Sequence, residues 1–185
     1  MKLPTSPRLG YRPFVPDDWR DVLAYQANGR FARFYPWDHR SAKAVQAFVQ
    51  TFVDWQQEEP RYRYQFALTL PGSPTLIGNC GVRLTFPGSR SADLGYEIDP
   101  AHWGQGYATE AARAMLAFAF EQLALDRVWA MSLVENAASV RVLQKAGMTR
   151  DRHLPRHKRM QGRWWDVVVY DITRPAWHAL QETGQ

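Results

Sequence analysis

The residues best placed to do chemistry lie at positions 94–111, where an alternating segment ending at Ile98 runs through Gly104 and Gly106 into an apolar stretch beginning Tyr107, Ala108, Thr109. A strand that opens through glycines into a helix leaves the first-turn N–H groups of that helix without internal acceptors, and glycines let an anion approach them closely. Such a corner is suited to phosphate, a diphosphate above all. Two known forms are excluded by spacing. The phosphate loop of nucleoside triphosphatases needs Gly-Lys followed by Ser or Thr, whereas Gly106 precedes Tyr107 and Ala108. A dinucleotide fingerprint needs three glycines on the first strand of a parallel sheet, whereas Gly104 and Gly106 are joined only by Thr109 and follow an antiparallel meander.

Few other residues form a reactive set. Cys80 falls on the apolar side of an alternating strand and reads as core rather than nucleophile, and a single Cys makes no internal disulfide. His39, His102, His153, His157 and His178 lack a metal-binding spacing, since Pro155 interrupts the only pair four residues apart; no metal is expected. The formal charge of +5 is concentrated in residues 150–163, where Arg150, Arg152, Arg156, Lys158, Arg159 and Arg163 face one acid, Asp151. That field attracts phosphates, acidic polypeptide or nucleic acid without choosing among them, and a solvated hairpin that aids solubility accounts for it equally. Trp37, Trp164 and Trp165 are either acceptor-pocket or core residues, with core the default at this aromatic content.

The elements that must position these residues follow from periodicity. Residues 9–14 read as a short strand; Asp17 or Asp18 caps a helix carrying Trp19, Val22 and Leu23 on one face and ending near Gly29. Ser41 caps a second helix through Val45, Phe48, Val49 and Phe52. Alternation over residues 62–70, 76–86 and 92–98, broken by Pro-Gly turns, gives three meandering strands, the first half-buried. Residues 109–123 are apolar on nearly every face, as in a buried helix. A strand over 127–134, a short helix over 136–146 ended by Gly147, a strand over 164–172 and a last helix around Trp177 and Leu180 complete one α+β domain over residues 1–185. The longest apolar run is residues 114–120, too short for a membrane span, and the N-terminus lacks a secretory apolar stretch. A cytoplasmic location is expected.

Residues Trp103, Gly104, Gln105, Gly106, Tyr107 and Ala108 resemble the acyl-CoA loop of the GNAT superfamily of N-acetyltransferases, whose six positions read Gln/Arg-x-x-Gly-x-Gly/Ala. Gly106 and Ala108 match, and Trp103 stands where the family has Arg or Gln. The likeness extends to Asn136-Ala137-Ala138-Ser139 and Lys145-Ala146-Gly147-Met148, similar to the family's later Asn-x-x-Ser and Lys-x-Gly-Phe elements. Their order, with residues 162–166 beyond the hairpin, resembles the branch of ribosomal-protein alanine N-acetyltransferases. The resemblance implies a central mixed, mostly antiparallel twisted sheet of about seven strands flanked by helices. It further implies acetyl-CoA as cosubstrate, its pyrophosphate on the loop and Thr109, Asn136 as a further contact, and its pantetheine along the backbone of Ile98 and its strand.

It implies also direct attack of a primary amine on the thioester in a ternary complex, without an acyl-enzyme. Glu97, in the strand flanking the thioester, is the candidate base, against the alternative of a solvent-facing strand carboxylate. Glu110, in the first helical turn, is explained by the helix dipole alone. Ser139 is the candidate donor to the departing thiolate, because the position where many members carry Tyr is Leu143; it and Asn136 serve equally as first-turn and cap residues. The acceptor is a protein N-terminus or a small amine. A membrane or nucleic-acid partner is not expected, and a homodimer is an open option. The alternative function is a non-catalytic acyl-CoA-binding regulatory module.

Overall fold

The structure, a computed structural model, describes residues 2–183. Seven strands form one sheet: β1 (Gly10–Arg12), β2 (Arg63–Thr69), β3 (Leu76–Leu84), β4 (Ser91–Ile98), β5 (Arg127–Leu133), β6 (Thr149–Met160) and β7 (Arg163–Thr173), in the order β1-β2-β3-β4-β5-β7-β6. Every neighbouring pair is antiparallel except β4 and β5. That parallel pairing covers only Ser91, Ala92 and Asp93 against Arg127, Val128 and Trp129, after which the strands separate.

Helices cover both faces. On one lie α1 (Trp19–Gln26), the single-turn α2 (Gly29–Ala32) and α3 (Ala42–Asp54); on the other lie α4 (Tyr107–Ala117), α5 (Ala137–Lys145) and α6 (Arg174–Glu182). The expected half-burial of β2 is therefore corrected. Phe66 and Leu68 pack under α4 while Ala67 packs under α1 and α3, so five consecutive residues of the strand are buried. Alternation there separates two cores rather than core from water, and the polar Gln65 survives burial because it donates to Asn79 Oδ1 at 2.6 Å.

Several local expectations also shift. Asp18 is the N-cap residue of α1, but its side chain makes no cap bond there; its carboxylate accepts the Val15 N–H at 2.8 Å and the Arg12 guanidinium at 2.7 and 2.8 Å. Gly29 begins α2 instead of ending α1, with Asn28 as its cap. Ser41 caps α3 as expected. The long apolar helix starts at Tyr107 and widens into a π turn over Phe118–Gln122, where the Leu123 N–H reaches Phe118 O. The basic residues 150–160 are themselves strand β6 on the sheet edge, exposed along almost its whole length. The last helix docks internally, with Trp177 buried and Leu180 against Gly147.

Candidate active site

The separation of β4 from β5 creates the site. The Asp99 N–H donates to Ile77 O at 2.8 Å, and in an antiparallel ladder such bonded pairs alternate with unbonded ones. Leu94, Tyr96 and Ile98, two residues apart along β4, therefore turn their N–H and C=O groups away from β3. Ala92 and Leu94 meet β5; beyond them the backbone of Tyr96 and Ile98 looks into the gap. The Ile98 carbonyl is taken by the indole N–H of Trp103 at 2.6 Å, so its free group toward the gap is the N–H. Trp103, in place of the family's Arg or Gln, thus fastens the loop to the strand it leaves.

At the end of β4 the loop delivers the start of α4. Gly106 is the N-cap with φ +85°, and Gly104 has φ +79°, both left-handed conformations that favour glycine. The first intrahelical bond runs from the Glu110 N–H to Gly106 O at 3.0 Å, which leaves the N–H groups of Tyr107, Ala108 and Thr109 unbonded within the helix. Arg8, from the N-terminal segment, braces this corner. Its backbone N–H and its Nε each reach the Glu110 carboxylate at 2.7 Å, Nη1 reaches Gln105 O at 3.1 Å, and the guanidinium lies 4.8 Å from the Tyr107 ring centroid. Burial would raise the Glu110 carboxyl, but the Arg8 amide, the Ser6 hydroxyl and the Arg8 guanidinium outweigh it and hold it below its usual range.

Glu97 points to the opposite face of the sheet, toward α1 and α2, and is half-buried rather than solvent-facing. Its Oε2 accepts from Tyr25 Oη at 2.9 Å, Gln26 Nε2 at 3.0 Å and Asn79 Nδ2 at 3.0 Å; among the described residues Oε1 accepts only from Tyr35 Oη, at 3.1 Å. Burial, then the neighbouring carboxylate, pushes both tyrosines well above the ordinary phenol range, so they remain neutral donors. One oxygen is saturated and the other keeps a free lone pair. None of these four partners carries a motif. Asn79 and Tyr25 could be found only by knowing that β3 and α1 meet behind β4.

On the α4–α5 face Ser139 lies under Tyr96, with Ser139 Oγ 2.9 Å and Ser139 O 3.1 Å from Tyr96 Oη. Burial raises the Tyr96 phenol above its usual range and keeps it protonated. Tyr96 is a candidate the sequence analysis missed, although its place two residues before Ile98 put it on the face opposite Glu97. Asn136 is the N-cap of α5, its Oδ1 accepting the Ser139 N–H at 3.2 Å. Leu143 is buried, and burial pushes the Cys80 thiol up to about 12, leaving it without thiolate character.

One cavity of about 750 Å³ at the gap is lined by residues from both faces of the sheet. It brings together Glu97, Ile98, Trp103, Gly104, Gly106, Tyr107, Ala108, Thr109, Asn136 and Ser139; Gln105 lies outside the lining. Trp37, Trp164 and Trp165 do not line it: Trp165 is core, Trp164 is 48% exposed, and Trp37 packs at a tilt against Tyr35. Phe31, Phe34 and Tyr35 line the end nearest Glu97. Among the described residues no His, Cys, Asp or Glu group is arranged to hold a metal, and no helix is long and apolar enough to cross a membrane.

Residues 8–149 match the acetyltransferase (GNAT) domain family. YoaA of Bacillus subtilis, described as an uncharacterized N-acetyltransferase, is 30% identical over 169 residues, which span 91% of this chain and 94% of YoaA. The ribosomal protein uS5 alanine N-acetyltransferase of Escherichia coli is 24% identical over 87% of this chain and 84% of its own. The crystal structure of a GNAT-family acetyltransferase from Bacillus anthracis superposes with a TM-score of 0.82 at 26% identity, covering 94% of this chain and 99% of that one.

Proposed function

The chain belongs to the GNAT acetyltransferase family, whose members move an acetyl group from acetyl-CoA to an amine, and on that premise we propose how its own residues carry the transfer. Residues 1–185 act as one acyltransferase domain, as a sheet drawing strands from both ends of the chain suggests. The pyrophosphate sits on the free N–H groups of Tyr107, Ala108 and Thr109, reached over Gly104, Gln105 and Gly106. The pantetheine arm takes the β4 edge in the gap, from the Ile98 N–H toward Tyr96, with Trp103 closing the loop and Asn136 lining the opposite wall.

The acceptor enters from the Glu97 face. Its nitrogen lone pair attacks the thioester carbonyl carbon, the C–S bond breaks, and the amine proton passes to the free lone pair of Glu97 Oε1 directly or through water. N–H groups of β4 facing the gap stabilise the developing oxyanion. The departing thiolate meets the Ser139 hydroxyl, itself bonded to Tyr96, which supplies a hydrogen bond and a proton route. The acceptor is a primary amine, a peptide N-terminus or a small amine; the Escherichia coli relative named for uS5 alanine supports the former.

The observation that carries this reading is a single cavity with an anion-binding helix start at one end and a carboxylate at the other, on opposite faces of the sheet. A screen of peptide N-termini and small amines with acetyl-CoA, reading free thiol and product mass, tests it. Initial-rate lines that intersect as both substrates vary are expected; parallel lines, the mark of an acyl-enzyme, would refute direct attack.

A further inference from the structure

We infer that the acceptor carries an anionic group, a carboxylate beside its amine, received by Lys158 and His157 at the Glu97 end of the cavity. The inference rests on the reading of the cavity given above and narrows its acceptor.

Register places Lys158 opposite Trp165 on the neighbouring strand, so the two side chains share a face of the sheet. Trp165 packs with Leu133, Val167 and Phe34, which puts that face on the acceptor side. The β6 ladder slips between Leu154 and Lys158, and within the slip Arg156 takes φ +49°. Asp166 holds this bulge by accepting the Arg156 N–H at 2.8 Å and lying 3.0 Å from the His153 ring nitrogen. Bulges re-aim side chains, and here His157 and Lys158 become cavity lining within an otherwise solvent-facing edge strand. The hairpin tip is tied over the same opening, where Gln161 Nε2 donates to Tyr35 O at 2.9 Å.

The charge is one-sided. Among the described residues Glu97 is the sole carboxylate in the cavity lining, and its hydrogen bonds are with neutral groups. Among the described residues neither His157 nor Lys158 has an ion-pair partner, and neither does Arg30, stacked 5.3 Å from the Trp103 ring centroid beside the opening. Lys158 and Arg30, cations left unpaired around an aromatic-walled opening, repel a polycationic amine and attract one whose far end is negative, to which His157 can add a ring hydrogen bond. The amine then meets Glu97 while its carboxylate meets Lys158.

The test compares isosteres in the full-length protein. A C-terminally amidated Ala-Glu-Glu peptide against amidated Ala-Gln-Gln, and 4-aminobutyrate against its amide, separate a peptide source from a small-molecule one. The carboxylate member should show at least about tenfold higher kcat/KM, an advantage that shrinks with salt. Lys158→Ala should abolish it by raising acceptor KM while leaving acetyl-CoA KM unchanged, and Lys158→Glu should reverse it. Equal rates for carboxylate and amide, or a Lys158→Ala effect on acetyl-CoA KM instead, would overturn the inference while leaving acetyl transfer intact. If no acceptor releases thiol, acetyl transfer to these amines itself fails. Calorimetry of the coenzyme A-saturated protein with the same acceptors then decides the anion site: carboxylate-selective binding lost in Lys158→Ala supports it, and its absence refutes it.

Discussion

Glu97 is defined by what holds it. Four neutral donors fix its carboxylate, so Glu97→Gln removes the proposed proton acceptor and also sets an amide N–H against groups that donate. Turnover should fall about 10²-fold or more with acetyl-CoA affinity kept, and circular dichroism should show the fold intact. Retained turnover would assign the base elsewhere. The Ser139–Tyr96 pair divides cleanly by mutation. Ser139→Ala should lower kcat more than it weakens coenzyme binding, and Tyr96→Phe should lower it less, because the serine hydroxyl remains; equal loss of rate and affinity in Ser139→Ala would mark a purely positioning role. At this scale the sequence pointed to Glu97 and Ser139 through a family likeness alone. Tyr25, Gln26, Tyr35 and Asn79 stayed hidden, because each looks like an ordinary polar or aromatic residue until α1 and β3 are brought together behind β4.

Among the elements, the β4–α4 corner was legible because glycine spacing and an abrupt change of period mark it directly. Gly106→Val demands a left-handed conformation of a β-branched residue, costing on the order of 1–2 kcal/mol, and puts a side chain at the proposed diphosphate site. Calorimetry should show acetyl-CoA binding weakened at least about tenfold. Gly147, φ +88°, ends α5, and a Cβ there would run into Leu180 of α6. Gly147→Ala should therefore lower Tm by several degrees without altering acetyl-CoA KM, since α6 lies away from the cavity. The β6 bulge was not legible. Pro155 hints at a break, but the slip depends on Asp166, ten residues away across the hairpin, accepting the Arg156 N–H. The double burial of β2 escaped for a similar reason: Arg63, Gln65 and Thr69 between apolar residues read as a wet face, and the burial of Gln65 depends on Asn79 of the neighbouring strand.

Over the whole molecule, residues about a hundred positions apart meet where Arg8 grips Glu110. The folded Glu110 carboxyl lies below its unfolded value, so the stability it contributes is full above the unfolded pKa of about 4.3 and is lost as pH falls through the lower folded value. Arg8 is half-exposed, which limits the effect to about 1 kcal/mol, or roughly 2–4 °C in Tm. Glu110→Gln should melt lower than the parent at pH 7 and converge with it as pH falls through the lowered folded value. Parallel melting curves at every pH would show that the ion pair does not act in this way.

Because residues from both faces of the sheet line the cavity, the proposed entries of the two substrates lie on opposite faces and do not share one doorway. A hybrid inhibitor that covalently joins a coenzyme to an acceptor has to thread one of its halves through the slit between β4 and β5. Its final grip is expected to be strong, while its association runs well below that of either half alone, a lag that stopped-flow fluorescence from Trp103 would resolve.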